Sequence, residues 1–195
     1  MGTLQANIVN RNLMKKKVAI LATNGFEEIE LTSPKKALED AGFETELVSL
    51  EKGKIKAWNE GNWSVRYDVD KVVTEVSHAD YHSLFLPGGV INPDKLRQNK
   101  DAITFIKGFF DAGKPVSAIC HGIQPLIDAG VLKGRKLTSF PSIKQDVINA
   151  GGNWVDQEVV VDAGFTTSRS PADLEAFNKK IVEEVKEGKH NEQHA

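Results

Sequence analysis

A doubly wound α/β fold, with a mostly parallel central sheet and helices on both faces, follows from three features of the sequence. Short apolar runs recur at residues 17–22, 83–86 and 116–119, and each leads into a turn and then a helical pattern. Runs that are apolar throughout suit strands covered on both faces. The third run ends on Cys120, the single cysteine of the chain, followed by His121 and Gly122.

The elements then follow in order. Residues 17–22 make the first strand, and Thr23-Asn24-Gly25 the loop at its C-terminal end. Helical spacing continues through Leu31, Leu38 and Ala41 and stops at Gly42, a C-terminal glycine. Pro34 must lie near the start of that helix or kink it. Glutamates in its first turns suit the helix dipole. That accounts well for Glu28 and less well for Glu30, which shares a face with Glu27 at i, i+3 beside a strand end. Residues 43–50 alternate in part and read as the second strand. Residues 52–62 are polar, with Gly53 and Gly61, and read as a surface excursion or hairpin, with 65–69 as an edge strand. Trp58 and Trp63 are expected to pack that loop onto the domain rather than line a pocket.

His78 and His82 have the spacing of paired metal ligands on a helix, but no third ligand follows and His82 enters a strand, so no metal site is expected. Residues 83–86 run into Pro87-Gly88-Gly89, whose glycines free backbone N–H groups for a ligand or make a tight turn. Asn92-Pro93-Asp94 opens a short helix, and residues 101–112 form an amphipathic helix ended by Gly113. The strand at 116–119 then meets a short helix over 122–129. This strand-to-helix junction has the form of a nucleophile elbow, with Cys120 at the positive end of the helix, a position expected to make it an accessible, acidic thiol, and His121 beside it as a base. Gly122 lets the backbone turn tightly. Residues 131–138 give a turn and strand, 142–150 a helix, and 159–167 a hairpin. Ser170-Pro171-Ala-Asp173 has the form of a helix start with Ser at the cap and an acid at N3, and the last helix covers 172–186.

Charge is nearly balanced in the 195 residues, with 25 basic against 27 acidic groups, so no nucleic-acid partner is expected. No apolar run approaches the length of a bilayer span. One cysteine excludes an internal disulfide and fits a reducing cytoplasm. Residues 1–15 read as an extension, since 1–13 are polar and Met14 before three lysines resembles a second start. Residues 16–187 read as one domain and 188–195 as a polar, solvated tail.

Three strand ends therefore converge on one edge and bring together Glu30, the Gly88-Gly89 turn and Cys120-His121. A nucleophile, a base, an acid and backbone donors satisfy the roles of an active site.

The segments Gly25-Phe-Glu-Glu-Ile-Glu-Leu31, Leu86-Pro-Gly-Gly89, Ala118-Ile-Cys-His-Gly122, Leu132-Lys-Gly-Arg-Lys-Leu137 and Asp156-Gln-Glu-Val-Val-Val-Asp162 resemble the PfpI-type intracellular proteases of the ThiJ/PfpI superfamily. The resemblance spans about residues 16–185 and implies a flavodoxin-like sandwich. It further implies that Cys120 is the nucleophile, that Glu30 hydrogen-bonds its sulfur, and that His121 is the base; on the reading of the residues themselves, Gly88, Gly89 and His121 are the expected backbone donors and Glu27 a substrate-binding candidate. His121 would be oriented by an acid from a neighbouring subunit, matched here by Asp94 where the archaeal type carries Glu. The resemblance implies a homo-oligomer, a dimer or a dimer-based hexamer, and no cofactor. Family members include peptidases, glyoxalases that work without glutathione, protein deglycases and stress proteins. Class I glutamine amidotransferases share the superfamily, but their His-x-Glu position corresponds to Thr166-Thr-Ser-Arg169 here, so that activity is not expected. His190-Asn-Glu192 lies beyond the last helix and reads as coincidence. The favoured expectation is chemistry on a small carbonyl, because a thiolate adds readily to an α-oxoaldehyde. Peptide cleavage is the alternative, and a redox-sensing or chaperone-like role a third.

Overall fold

A computed structural model describes residues 16–193; the extension expected at 1–15 therefore lies outside the described residues. The central sheet has seven strands. They are β1 (Lys17–Leu21), β3 (Glu44–Ser49), β6 (Lys71–Val72), β7 (Ser83–Leu86), β8 (Val116–Ile119), β11 (Val160–Asp162) and β12 (Phe165–Ser168). Their order is β11-β12-β8-β7-β1-β3-β6, and only the β11–β12 pairing is antiparallel. The chain winds outward from β1 in one direction to β3 and in the other to β7 and β8. The order thus reverses between β1 and β7, which opens a crevice at the C-terminal ends of those strands.

Alternation along β1 explains how both faces are covered. Ala19 and Leu21 join a core built with Phe105, Ile106, Phe109 and Phe110 of α3 (Lys100–Asp111). Val18 and Ile20 face the other way, onto Leu31 and Leu38 of α1 (Glu28–Asp40) and onto Phe177, Ile181 and Val185 of α6 (Leu174–Glu187). Pro34 sits inside α1, which continues through it to Asp40.

The polar excursion is a hairpin of β4 (Lys54–Asn59) and β5 (Asn62–Asp68), joined to a two-residue strand β2 (Phe26–Glu27) as a separate three-stranded sheet, and β9 (Lys136–Leu137) pairs with β10 (Asn153–Trp154) in a further two-stranded one. Glu28 fastens it, accepting from Ser64 Oγ (2.5 Å) and Tyr67 Oη (2.8 Å). Two further expectations are corrected. Ser170 makes no side-chain cap; Asp173 instead accepts from the Arg169 amide (3.0 Å) and its guanidinium (2.9 and 2.8 Å), a charge-assisted arrangement stronger than a hydroxyl cap. The described part of the C-terminal tail is docked rather than solvated: the His190 amide donates to Gly113 O (2.8 Å), and Gln193, 1% exposed, donates to Lys114 O (2.5 Å).

Among the described residues no helix is long and apolar enough to cross a membrane. Phe109 packs against Phe105 and Tyr81 at the centre of the α3 interface and is fully buried. Phe109→Ala should lower unfolding stability by about 3–5 kcal/mol in a denaturant titration. Trp63→Ala, at a side chain that is 46% exposed, should cost far less; comparable losses would contradict this packing.

Candidate active site

The crevice at the strand ends holds a pocket of about 390 Å³, with Cys120 and Glu30 in its lining beside Glu27, Trp58, Gly89, His121, Phe140 and Pro171. Three successive elements place the central groups. Glu30 enters from the first turn of α1, Gly88 and Gly89 follow β7, and Cys120 follows β8.

Cys120 adopts φ +62°, a left-handed backbone that a non-glycine residue rarely takes. Gly122 serves the elbow differently from the sequence expectation. Its φ is not positive; what it allows is close approach, since a Cβ there would lie 2.6 Å from Leu86 O and 2.8 Å from Pro87 O. Gly88 is under the same kind of constraint. A Cβ on it would collide with Glu30 Oε2 and lie 2.7 Å from Cys120 Cβ. Asn92, fully buried, braces this loop by accepting from the Thr23 amide (2.8 Å) and donating to Pro87 O (3.0 Å) and Gly88 O (3.1 Å).

Glu30 is 0% exposed, and neither carboxyl oxygen completes a hydrogen bond of good geometry. Burial pushes its pKa up to about 8, against the opposing pull of the Cys120 thiol and of the Gly88 and Gly89 amides; the nearby Glu27 charge adds to the rise. Glu30 is therefore a carboxylic acid at neutral pH and can donate. Burial also raises Glu27.

The expectation of an acidic thiol is overturned in this conformation. Burial pushes the Cys120 thiol up, and Glu30 pushes it further once ionised above about pH 8, while the His121 and Gly89 amides pull it down. The helix behind the elbow is too small to reverse this, being a 3₁₀ turn at Cys120–Ile123 followed by the five-residue α4 (Gln124–Asp128). A thiolate here needs a proton acceptor close by. His121 Nδ1 stands 3.3 Å from Cys120 Sγ, and burial lowers the imidazole pKa and keeps the ring neutral.

His121 does have a partner within its own chain, contrary to the sequence analysis. Its Nε2 lies 3.1 Å from Ser142 Oγ, and its ring stacks on Phe140 with centroids 4.8 Å apart. Ser142 belongs to a segment read only as the start of a helix; the structure places it in a 3₁₀ turn (Pro141–Ile143) that precedes α5 (Lys144–Asn149). Asp94 is exposed on α2 (Ile91–Arg97) and outside the pocket lining, and its backbone oxygen accepts from Gln98. Trp58 does line the pocket, where it meets Trp63 edge to face at 5.3 Å. The sequence offered no signal that the hairpin folds back over the strand ends.

Of the backbone donors, the Gly89 and His121 amides act on Cys120, and the Gly88 and Gly89 amides on Glu30. The pocket thus combines a thiol, a neutral acid, a neutral imidazole and two amides around one sulfur, a set suited to adding sulfur to a carbonyl.

Residues 16–184 match the DJ-1/PfpI family. The chain is 45% identical to Deglycase PH1704 of Pyrococcus horikoshii over 87% of its length and 99% of that protein. It is 46% identical to Protein/nucleic acid deglycase 2 of Escherichia coli over 87% of its length and 97% of that relative. A Bacillus subtilis relative, provisionally named cysteine protease YraA, is 45% identical over 89% of this chain and all of that one, 100%. In structure the chain is similar to Drosophila melanogaster DJ-1beta, with a TM-score of 0.79 and 26% identity over 89% of this chain and 95% of that one. It is also similar to a two-domain protein from Anabaena variabilis with DJ-1/ThiJ/PfpI-like and ferritin-like domains, with a TM-score of 0.83 and 34% identity over 88% of this chain and 48% of that one.

The buried Glu30 gives stability a pH dependence of known sign. Its folded pKa of about 8 lies above the ordinary 4.5, so the unfolded chain releases that proton first. The folded state loses on the order of 5 kcal/mol relative to the unfolded one as pH rises from 4.5 to 8. Glu30→Gln should remove this slope in urea titrations at pH 5 and pH 8.5. Equal slopes in both proteins would mean that Glu30 is ionised.

Proposed function

The chain belongs to the DJ-1/PfpI family, and on that premise we propose a cysteine-dependent enzyme of the deglycase and glyoxalase kind, acting on small α-oxoaldehydes or on the groups they modify. One observation carries the reading: the Cys120 thiol lies between a protonatable Glu30 and the neutral His121 on the floor of a small pocket. Relatives named as deglycases support the same class. A single reduced thiol fits a cytoplasmic setting.

The geometry assigns each group a step. With Nε2–H donating to Ser142 Oγ, His121 keeps the Nδ1 lone pair on the thiol and takes its proton as sulfur attacks the aldehyde carbon. The amides of Gly89 and His121 and the Glu30 hydroxyl stabilise the charge on sulfur and oxygen. The resulting hemithioacetal loses the hydrogen on its former aldehyde carbon to a base, and the neighbouring carbon regains a proton. That shift gives the thioester of a 2-hydroxy acid. Water then cleaves the C–S bond, releases the acid and returns the thiol. For methylglyoxal the sum is methylglyoxal plus water to lactate, with no external oxidant. A pocket of about 390 Å³ is of small-molecule size. Peptide cleavage, the alternative that YraA's name suggests, would use the same thiol on a chain reaching in from outside.

Methylglyoxal should be converted to lactate without glutathione, and Cys120→Ala should abolish this. His121→Ala should lower the rate by about 10²–10⁴-fold. Lactate formation that survives Cys120→Ala would overturn the reading, and cleavage of a labelled peptide with no methylglyoxal turnover would favour the peptidase. The neutral form of Glu30 is lost as pH rises through about 8, so kcat/KM should fall above that pH in the wild type. Glu30→Gln should lack this alkaline limb; a limb that persists unchanged would assign it to another group.

We place the active site at a subunit interface, with Asp94 of one chain adding to the restraint that Ser142 provides on His121 of its partner. Asp94 suits this because it is exposed on α2, four residues after Val90, an apolar side chain 65% exposed at the pocket rim. Cys120→Ser and Asp94→Asn proteins should each be weak. Their co-expressed mixture should regain activity, because one site of a mixed dimer then carries neither substitution. A mixture as weak as its parents, or a fully active Asp94→Asn protein, would overturn this arrangement.

A further inference from the structure

At the end of the sheet remote from Cys120, the C-terminal segment folds onto the last turn of α6. Gly188, with φ 87°, ends that helix, and His190 comes to rest beside Glu184 and Glu187, which are three residues apart and share a face. Glu184 Oε2, Glu187 Oε2 and His190 Nε2 all lie within 4.8 Å of one another. His190 Nε2 is 3.1 Å from Glu184 Oε2 and 3.9 Å from Glu187 Oε2.

The single His190–Glu184 contact does not account for this arrangement. Glu184 is 6% exposed, and although its Oε2 and His190 Nε2 stand 3.1 Å apart, neither atom meets hydrogen-bond geometry with any of the described residues. A separate observation points to the same spot. Gln193 is 1% exposed, and its Oε1 also lacks a donor. A Cβ built on Gly164 would lie 2.5 Å from His190 Cδ2 and 2.7 Å from Gln193 Oε1, so that oxygen and the edge of the imidazole flank the same point above Gly164. Buried carboxylate and amide oxygens that have no donor among the described residues are costly unless a cation stands among them.

We propose that Glu184, Glu187 and His190 bind one divalent transition-metal ion of the zinc class, with the Gln193 amide oxygen beside them as a further oxygen donor. Two atoms each about 2.1 Å from a zinc ion stand about 3.0–3.4 Å apart at coordination angles of about 90–109°. The 3.1 Å separation of His190 Nε2 and Glu184 Oε2 meets that requirement without movement. Glu187, whose side chain is 62% exposed, closes the remaining gap by rotating. Imidazole with carboxylates selects zinc, nickel or copper over magnesium. The ion ties the last helix to the segment that holds Gly113 and Lys114, the turn leading into β8.

The test uses the full-length chain carrying Cys120→Ala, stripped with a chelator, so that the thiol cannot compete for metal. Titration calorimetry with Zn²⁺ should show one saturable equivalent. The midpoint of thermal unfolding should rise by several degrees at saturation, and Mg²⁺ should neither bind nor protect. His190→Ala should weaken Zn²⁺ binding by more than about tenfold. Glu187→Gln, at a side chain that makes no contribution to the core, should weaken it as well and so separates loss of a ligand from loss of the tail's docking. No saturable binding, equal binding after both substitutions, or Mg²⁺ competing as well as Zn²⁺ would overturn the proposal.

Discussion

The site depends on one constraint, the burial of a carboxyl group against a thiol. Glu30 is wholly removed from water and, among the described residues, has no cation to balance it, so it is held as the neutral acid up to about pH 8. That condition shapes the residues around it. Gly88 must lack a side chain because Glu30 and Cys120 occupy the space where one would stand. Cys120 must take a left-handed backbone to bring its sulfur over from the end of β8. Asn92, fully buried, holds the turn between them.

The same burial changes what the thiol requires. An exposed cysteine at a strong helix terminus could ionise alone, whereas a cysteine 7% exposed beside an acid and ahead of a five-residue helix cannot. The neighbouring imidazole, kept neutral by its own partial burial and stacked on Phe140, fits the part of proton acceptor.

Much of this was legible in the sequence because strands buried on both faces carry continuous apolar runs. Residues 17–21, 83–86 and 116–119 announced themselves that way, and the residues just beyond them were bound to share one edge of the sheet. The groups that escaped are those brought in by tertiary contact. Ser142, Phe140 and Trp58 lie in turns or on a hairpin, and no periodic pattern says where such segments fold back. The tail misled for a related reason. His190 and Gln193 are polar, and polarity alone suggested solvent, but their buried hydrogen bonds run to the backbone at Gly113 and Lys114. The acidity of the thiol was misjudged because a helix dipole can be inferred from spacing, while the depth of a side chain cannot.

The hairpin has a consequence for how such a protein can change over time. Trp58 closes the pocket from a three-stranded sheet that shares no ladder with the seven-stranded one, and Glu28 pins it through Ser64 and Tyr67. Reacting groups and part of the pocket wall therefore sit on different sheets, which meet through β2, Glu28 and the burial of Ile55 and Ala57 beside Phe26 and Leu31. Lengthening the β4–β5 turn or replacing Trp58 would remodel the cavity while leaving Glu30, Gly88 and Cys120 in place. A lineage built on this plan can explore new substrates through its hairpin without first dismantling its chemistry.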